Sequence, residues 1–129
     1  MIDHFVIHVS NLQASRAFYS AVLAPLGLLL RKELDDGVLF GELHPPQGAD
    51  PDGEFCLLQA EVPLVRPHFA FRAQGREQVD AFYQAALAAG GIDNGKPGFR
   101  PQYHTNYYAA FIHDPDGYNI EAVCHRPSS

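Results

Sequence analysis

The sequence predicts an α+β fold of two tandem βαβββ modules. Three observations predict it. The turn tetrapeptide Asp-Pro-Asp-Gly occurs twice, at Asp50–Gly53 and Asp114–Gly117, displaced by 64 residues. The same offset lays His4-Phe5 on His68-Phe69 and Ala17-Phe18-Tyr19 on Ala81-Phe82-Tyr83, with 9 of 24 pairs identical from His4/His68 to Gly27/Gly91 without a gap. A repeat served at both ends by one offset sets the architecture before any local argument. Each copy also carries one helix-period segment among several strand-like runs.

The elements follow in order. Ile2 to Val9 alternates as a strand, with Phe5, Ile7 and Val9 on one face and His4, Val6 and His8 on the other. Asn11 is a helix cap for an apolar stripe of Leu12, Phe18, Tyr19, Val22 and Leu23 that ends near Pro25 to Gly27. Leu28 to Leu34 and Val38 to Leu43 read as strands joined by the Asp35-Asp36-Gly37 turn, and Glu54 to Ala60 as a fourth strand after a Pro/Gly-rich loop. This first module spans residues 1–60, and Glu61 to Pro67 is a linker.

The second module, residues 67–126, repeats the plan. Pro67 to Ala73 is a strand. Arg76 to Ala89 is a helix with Val79, Phe82, Tyr83, Ala86 and Leu87 inward, stopped by Gly90-Gly91. Ile92 to Gln102 is interrupted by Gly and Pro and only weakly strand-like. Tyr107 to Ile112 and Tyr118 to Val123 then flank the second Asp-Pro-Asp-Gly turn as a closing hairpin, and a Pro-Ser-Ser tail follows. Cys56 and Cys124 read as core thiols beneath the helices.

A chain of 129 residues with 47% apolar and 19% charged residues is an ordinary globular protein of one domain's length. Its net charge of −6 speaks against nucleic acid or an anionic membrane as partner, since either calls for a basic face. Two cysteines make no disulfide framework, and neither a signal peptide nor a membrane-length apolar run is seen, so a cytoplasmic location is expected.

The chemistry gathers on three residues. His4 and His68 occupy the same place in the two modules, and Glu121 is a carboxylate inside the last, otherwise apolar strand. If a pseudo-two-fold axis relates the modules, two imidazoles and one carboxylate converge, a set that suits Zn²⁺, Fe²⁺, Mn²⁺ or Ni²⁺ and leaves coordination positions open. The ungapped repeat places Leu57 opposite Glu121. Strand parity puts His8, Gln59, Arg72, Tyr107 and Asn119 on the face of these ligands. There His8 is a candidate acid/base, Arg72 a candidate clamp for a substrate carboxylate or phosphate, and Tyr107 a third candidate catalytic group. Tyr103, His104, Tyr107 and Tyr108 form an aromatic-polar cluster before the closing hairpin, whereas His44 and His125 read as surface residues.

His4 with Val9-Ser10-Asn11-Leu12, Ala17-Phe18-Tyr19, His68, and Asp114-Pro115-Asp116-Gly117 with Glu121 resemble the vicinal oxygen chelate superfamily: glyoxalase I, bleomycin-resistance proteins, fosfomycin-resistance enzymes and extradiol dioxygenases. The resemblance covers nearly the whole chain as one glyoxalase-like domain, residues 1–129. It implies that the two tandem βαβββ modules form a curved mixed sheet around a cavity with the helices on the outside, and that His4, His68 and Glu121 hold a divalent metal that chelates neighbouring oxygens of a small-molecule substrate. It also implies a homodimer, often with sites drawing ligands from both chains.

The departures define what is expected. The first-module carboxylate that glyoxalase I uses is replaced by Leu57, the tyrosine of extradiol dioxygenases by Phe111, and the threonine of fosfomycin enzymes by Val6. Three readings follow: a metal-dependent glyoxalase- or dioxygenase-like enzyme of lyase, isomerase or dioxygenase type; a metal-free sequestering protein of the bleomycin-resistance type; and a duplicated structural module.

Overall fold

The computed structural model describes residues 1–127, so the last two serines of the tail lie outside the described residues. The first module runs β1 (Phe5–Val9), α1 (Leu12–Leu23), β2 (Leu28–Glu33), β3 (Gly37–Glu42) and β4 (Phe55–Gln59). The second runs β5 (Phe69–Arg72), α2 (Arg76–Ala88), β6 (Ile92–Phe99), β7 (Tyr108–His113) and β8 (Asn119–Cys124). The strands form two mixed four-stranded sheets, in the orders β1-β4-β3-β2 and β5-β8-β7-β6. The repeat is therefore a repeat of topology as well as of sequence. Among the described residues no helix is long and apolar enough to cross a membrane.

The helix signals hold. The Asn11 side chain accepts a hydrogen bond from the Ala14 amide, and Phe18, Tyr19, Val22 and Leu23 are buried beneath it. In α2, Val79, Phe82, Tyr83 and Ala86 are buried, but Leu87 lies 39% exposed on the far side of the last turn. Ile92 to Phe99 is a full edge strand, paired with β7 through two register shifts that absorb its glycines.

Each helix packs on its own sheet and the two helices pack on each other, so one face of each sheet is core and the other is open. The modules join through an aromatic seam. Phe55 stacks edge-on with Tyr19 and Phe71, at 5.2 Å each, and lies 5.5 Å from Phe69, which is 5.0 Å from Phe5.

The second Asp-Pro-Asp-Gly turn bolts the halves together. Asp114 Oδ1 accepts from the Asp116 and Tyr118 amides, and its Oδ2 accepts from the Tyr19 hydroxyl of the other module at 2.5 Å. The Tyr118 hydroxyl donates to the His8 carbonyl at 2.7 Å, and the Ser10 amide donates to Asp116 at 3.1 Å. Burial raises the pKa of Asp114 above its ordinary value, while its three hydrogen bonds pull in the opposite direction.

Strand register corrects the repeat by one residue. In the first sheet Val6 of β1 pairs with Cys56, whereas in the second Ala70, the repeat-mate of Val6, pairs with Glu121. The hairpin of the second module holds one more residue after its turn, the buried Tyr118. Cys56, not Leu57, is thus the structural counterpart of Glu121. Leu57 is fully buried beneath α1, and Cys56 is a half-buried thiol on the open face rather than a core residue. Cys124 is buried, as expected. Gln59 also leaves the ligand face: its amide donates to the Ser10 carbonyl and accepts from the Leu12 amide at the start of α1.

Candidate functional site

The open face of the second sheet is built around Glu121. Parallel pairing sets it beside Ala70 of β5, and antiparallel pairing sets it beside Phe111 of β7. Its neighbours Ile120 and Ala122 point into the core, so alternation turns the carboxylate toward the open face. There it is only 2% exposed. A buried carboxylate demands partners, and it has two. Glu121 Oε2 accepts from the Tyr107 hydroxyl at 2.5 Å, and Oε1 lies 2.9 Å from His68 Nε2.

The state of His68 follows from its other nitrogen. Nδ1 is 2.7 Å from the Asn119 carbonyl, an acceptor only, so Nδ1 carries a proton. In the neutral ring Nε2 is then a lone pair aimed at a carboxylate oxygen. Two acceptors 2.9 Å apart are complementary to a positive species between them, which is either a proton on Nε2 or a cation. An imidazole nitrogen and a carboxylate oxygen are both atom types that would ligate a divalent ion. The donor set therefore fits a divalent metal. Desolvation, first, and the bond to Glu121, second, raise the pKa of Tyr107, so it stays a protonated donor rather than a base.

Around this pair lie further groups, of which the sequence groups only His104 with Tyr107. The Arg100 guanidinium sits 5.3 Å from the centre of the Phe111 ring, on which the His68 imidazole also stacks, and it donates to the Lys96 and Gly98 carbonyls. His104 Nε2 is 2.9 Å from His125 Nδ1, and both rings meet Tyr107 edge-on. His125, read from sequence as a surface residue, is exposed yet belongs to this cluster. Its position four residues beyond Glu121 gives it the same strand parity, a signal that was present in the sequence. His104 and Arg100 sit off regular strand pairing, where parity says nothing. Tyr108 faces the opposite way and donates to Asp80 of α2, so it leaves the cluster.

Of the expected site residues, the chain brings His68, Glu121 and Tyr107 into direct contact. Arg72 shares their face, exposed, beside Val123 on the next rung. Asn119 contributes its carbonyl. His4 and His8 lie on the open face of the first sheet. His4 is exposed with Nδ1 against the Asp3 carboxylate at 2.7 Å, and His8 Nδ1 donates to the Glu61 carbonyl. Among the described residues no third His, Cys, Asp or Glu joins His68 and Glu121 within one chain.

The model of the Glyoxalase/Bleomycin resistance protein/Dioxygenase superfamily matches residues 1–122. A crystal structure of a glyoxalase/bleomycin resistance protein from Albidiferax ferrireducens T118 is 30% identical, with a TM-score of 0.77 over 97% of this chain and 98% of that one. The metallothiol transferase FosB of Shouchella clausii is 28% identical over 93% of this chain and 77% of its own length. Protein YqjT of Bacillus subtilis is 25% identical over 95% and 97%. With the match extending from the first residue through Glu121, this chain belongs to the Glyoxalase/Bleomycin resistance protein/Dioxygenase superfamily.

Proposed function

We propose that this protein is a metal-dependent enzyme acting on a small molecule with neighbouring oxygens, its divalent ion held by His68 and Glu121 of one chain and His4 of a second copy. The observation that carries the proposal is His68 Nε2 facing Glu121 Oε1 at 2.9 Å while Nδ1 is committed to the Asn119 carbonyl. A shared site is supported by the repeat relation of His4 to His68 on separate open faces. Strongly exposed apolar residues near the first sheet and in the linker, Ile2 at 81%, Leu64 at 95% and Val65 at 88%, give a second copy apolar surface to cover. The FosB relative, a metallothiol transferase by name, supports a metal in this family.

A divalent ion at this site supplies Lewis acidity toward two substrate oxygens. The protein's own groups do the rest. Arg72, exposed on the ligand face, takes a substrate carboxylate or phosphate through its planar fork. Tyr107 stays protonated and holds Glu121. His8, with Nδ1–H committed to the Glu61 carbonyl, has Nε2 free as a proton acceptor and serves as acid/base once the second copy brings it alongside.

The test is the metal content of protein purified without chelator, compared with His4→Ala, His68→Ala and Glu121→Ala, together with solution mass. Near-stoichiometric metal in a dimer, lost in all three variants, is expected. Folded protein that takes up none of Zn²⁺, Mn²⁺, Ni²⁺ or Fe²⁺ refutes the reading and leaves a metal-free binding face of the bleomycin-resistance type.

A further inference from the structure

The geometry points to Tyr107 as a positioning residue that confines Glu121 to one-oxygen ligation and thereby biases the site toward small, tightly coordinating cations. This inference rests on the metal reading above. Glu121 presents two oxygens, and they are not equivalent. Oε2 is occupied by the Tyr107 hydroxyl, so Oε1 alone faces His68 Nε2. With the carboxylate 2% exposed, no rotation into solvent frees the second oxygen.

Tyr107 is itself held from several sides. Its ring packs on Tyr103 at 4.8 Å, His104 at 5.4 Å and His125 at 5.3 Å. Its amide donates to the His104 carbonyl, and its carbonyl accepts from the Arg100 amide. The two histidines are fixed in turn. The Asn106 amide donates to His104 Nδ1, so His104 Nε2 carries the proton that it gives to His125 Nδ1. The hydroxyl that meets Glu121 is therefore delivered by a braced ring rather than by a swinging side chain.

A carboxylate with one free oxygen beside an imidazole suits ions bound at about 2.0–2.2 Å, such as Zn²⁺. Softer geometric demands and a taste for additional carboxylate oxygen favour Mn²⁺ in oxygen-richer sites. Removing the hydroxyl frees Oε2 to ligate as a second oxygen. Partners that orient a ligand in this way typically govern about 10–100-fold of metal affinity.

The experiment is competitive titration of Zn²⁺ and Mn²⁺ into wild type, Tyr107→Phe and Tyr103→Phe. Apo-protein melting is measured alongside, to confirm that each variant is folded. Phe keeps the ring stacked and deletes only the hydroxyl. The expected result is a Zn²⁺ affinity lowered about 10–100-fold in Tyr107→Phe, with a smaller change for Mn²⁺, so that the Zn²⁺/Mn²⁺ ratio narrows, and no change in Tyr103→Phe. An unchanged ratio, whether both affinities hold within twofold or fall together, overturns the inference and leaves the metal reading standing. Wild type that binds neither ion overturns both.

Discussion

Replacing Asp114 with alanine tests the joint between the modules. Asp114 is 4% exposed and takes three hydrogen bonds, at 2.5 Å from the Tyr19 hydroxyl and 2.9 Å from each of the Asp116 and Tyr118 amides. Alanine strands all three donors. The Tyr19 hydroxyl and the Tyr118 amide belong to residues with 0% and 1% exposure, so each loses its acceptor away from water, at about 1–3 kcal/mol apiece. Asp116 is less enclosed and recovers a bond to solvent. Relief of the buried carboxylate's own desolvation offsets part of the loss, which leaves a net destabilisation of about 3 kcal/mol. Urea unfolding followed by circular dichroism measures it as a lower midpoint at an unchanged slope. Tyr19→Phe deletes one bond to a charged acceptor and is expected to cost about 1.5 kcal/mol. The double variant should fall short of the sum, because the two residues share that bond. A loss below about 1 kcal/mol for Asp114→Ala, or strict additivity with Tyr19→Phe, refutes the reasoning.

The same carboxylate gives a pH signature. Burial raises the Asp114 pKa, so the folded state holds this proton more tightly than the unfolded chain. Its contribution is therefore full below the ordinary carboxylate range and declines as pH rises through the raised value. Asn cannot titrate, so the stability gap between wild type and Asp114→Asn should be widest below the ordinary carboxylate range and narrow as pH rises above it in urea midpoints. A gap that widens with pH contradicts the sign. Phe55→Ala, at a residue 2% exposed that meets Tyr19, Phe40, Phe69 and Phe71, should cost about 3–5 kcal/mol by calorimetry. A loss under about 1.5 kcal/mol would mean that the seam is not continuous core.

Most of the fold was legible because the helix and strand periods survive in both modules. Asn11 capped where its side chain predicted, and Phe5, Ile7 and Val9 turned to the core together, with 2% and 0% exposure at Ile7 and Val9. The comparison failed where local spacing differed. From His4 to Gly27 the two copies share one offset, but the second hairpin carries Tyr118, an added side chain that reaches the His8 carbonyl. Period-two alternation turns one residue of slippage into a change of face, so Leu57 and Cys56 exchange roles and Gln59 moves to the helix cap. The His68–Glu121 contact was legible because a lone carboxylate in an apolar strand must have a partner. The His104–His125 contact was not, since it joins a loop to the segment after the last strand and no periodicity links them.

The Asp114 and Tyr118 bolts also matter for assembly. They tie the turn of one module to the first strand and helix of the other, so the two outward sheet faces of a chain cannot pivot independently. A chain held in this way behaves as a rigid template. The distance from its His4 face to its Glu121 face is set by its interior, and in the dimer proposed above a second copy would inherit that spacing. Substitutions deep in the seam should therefore change the spacing between the two open faces at once.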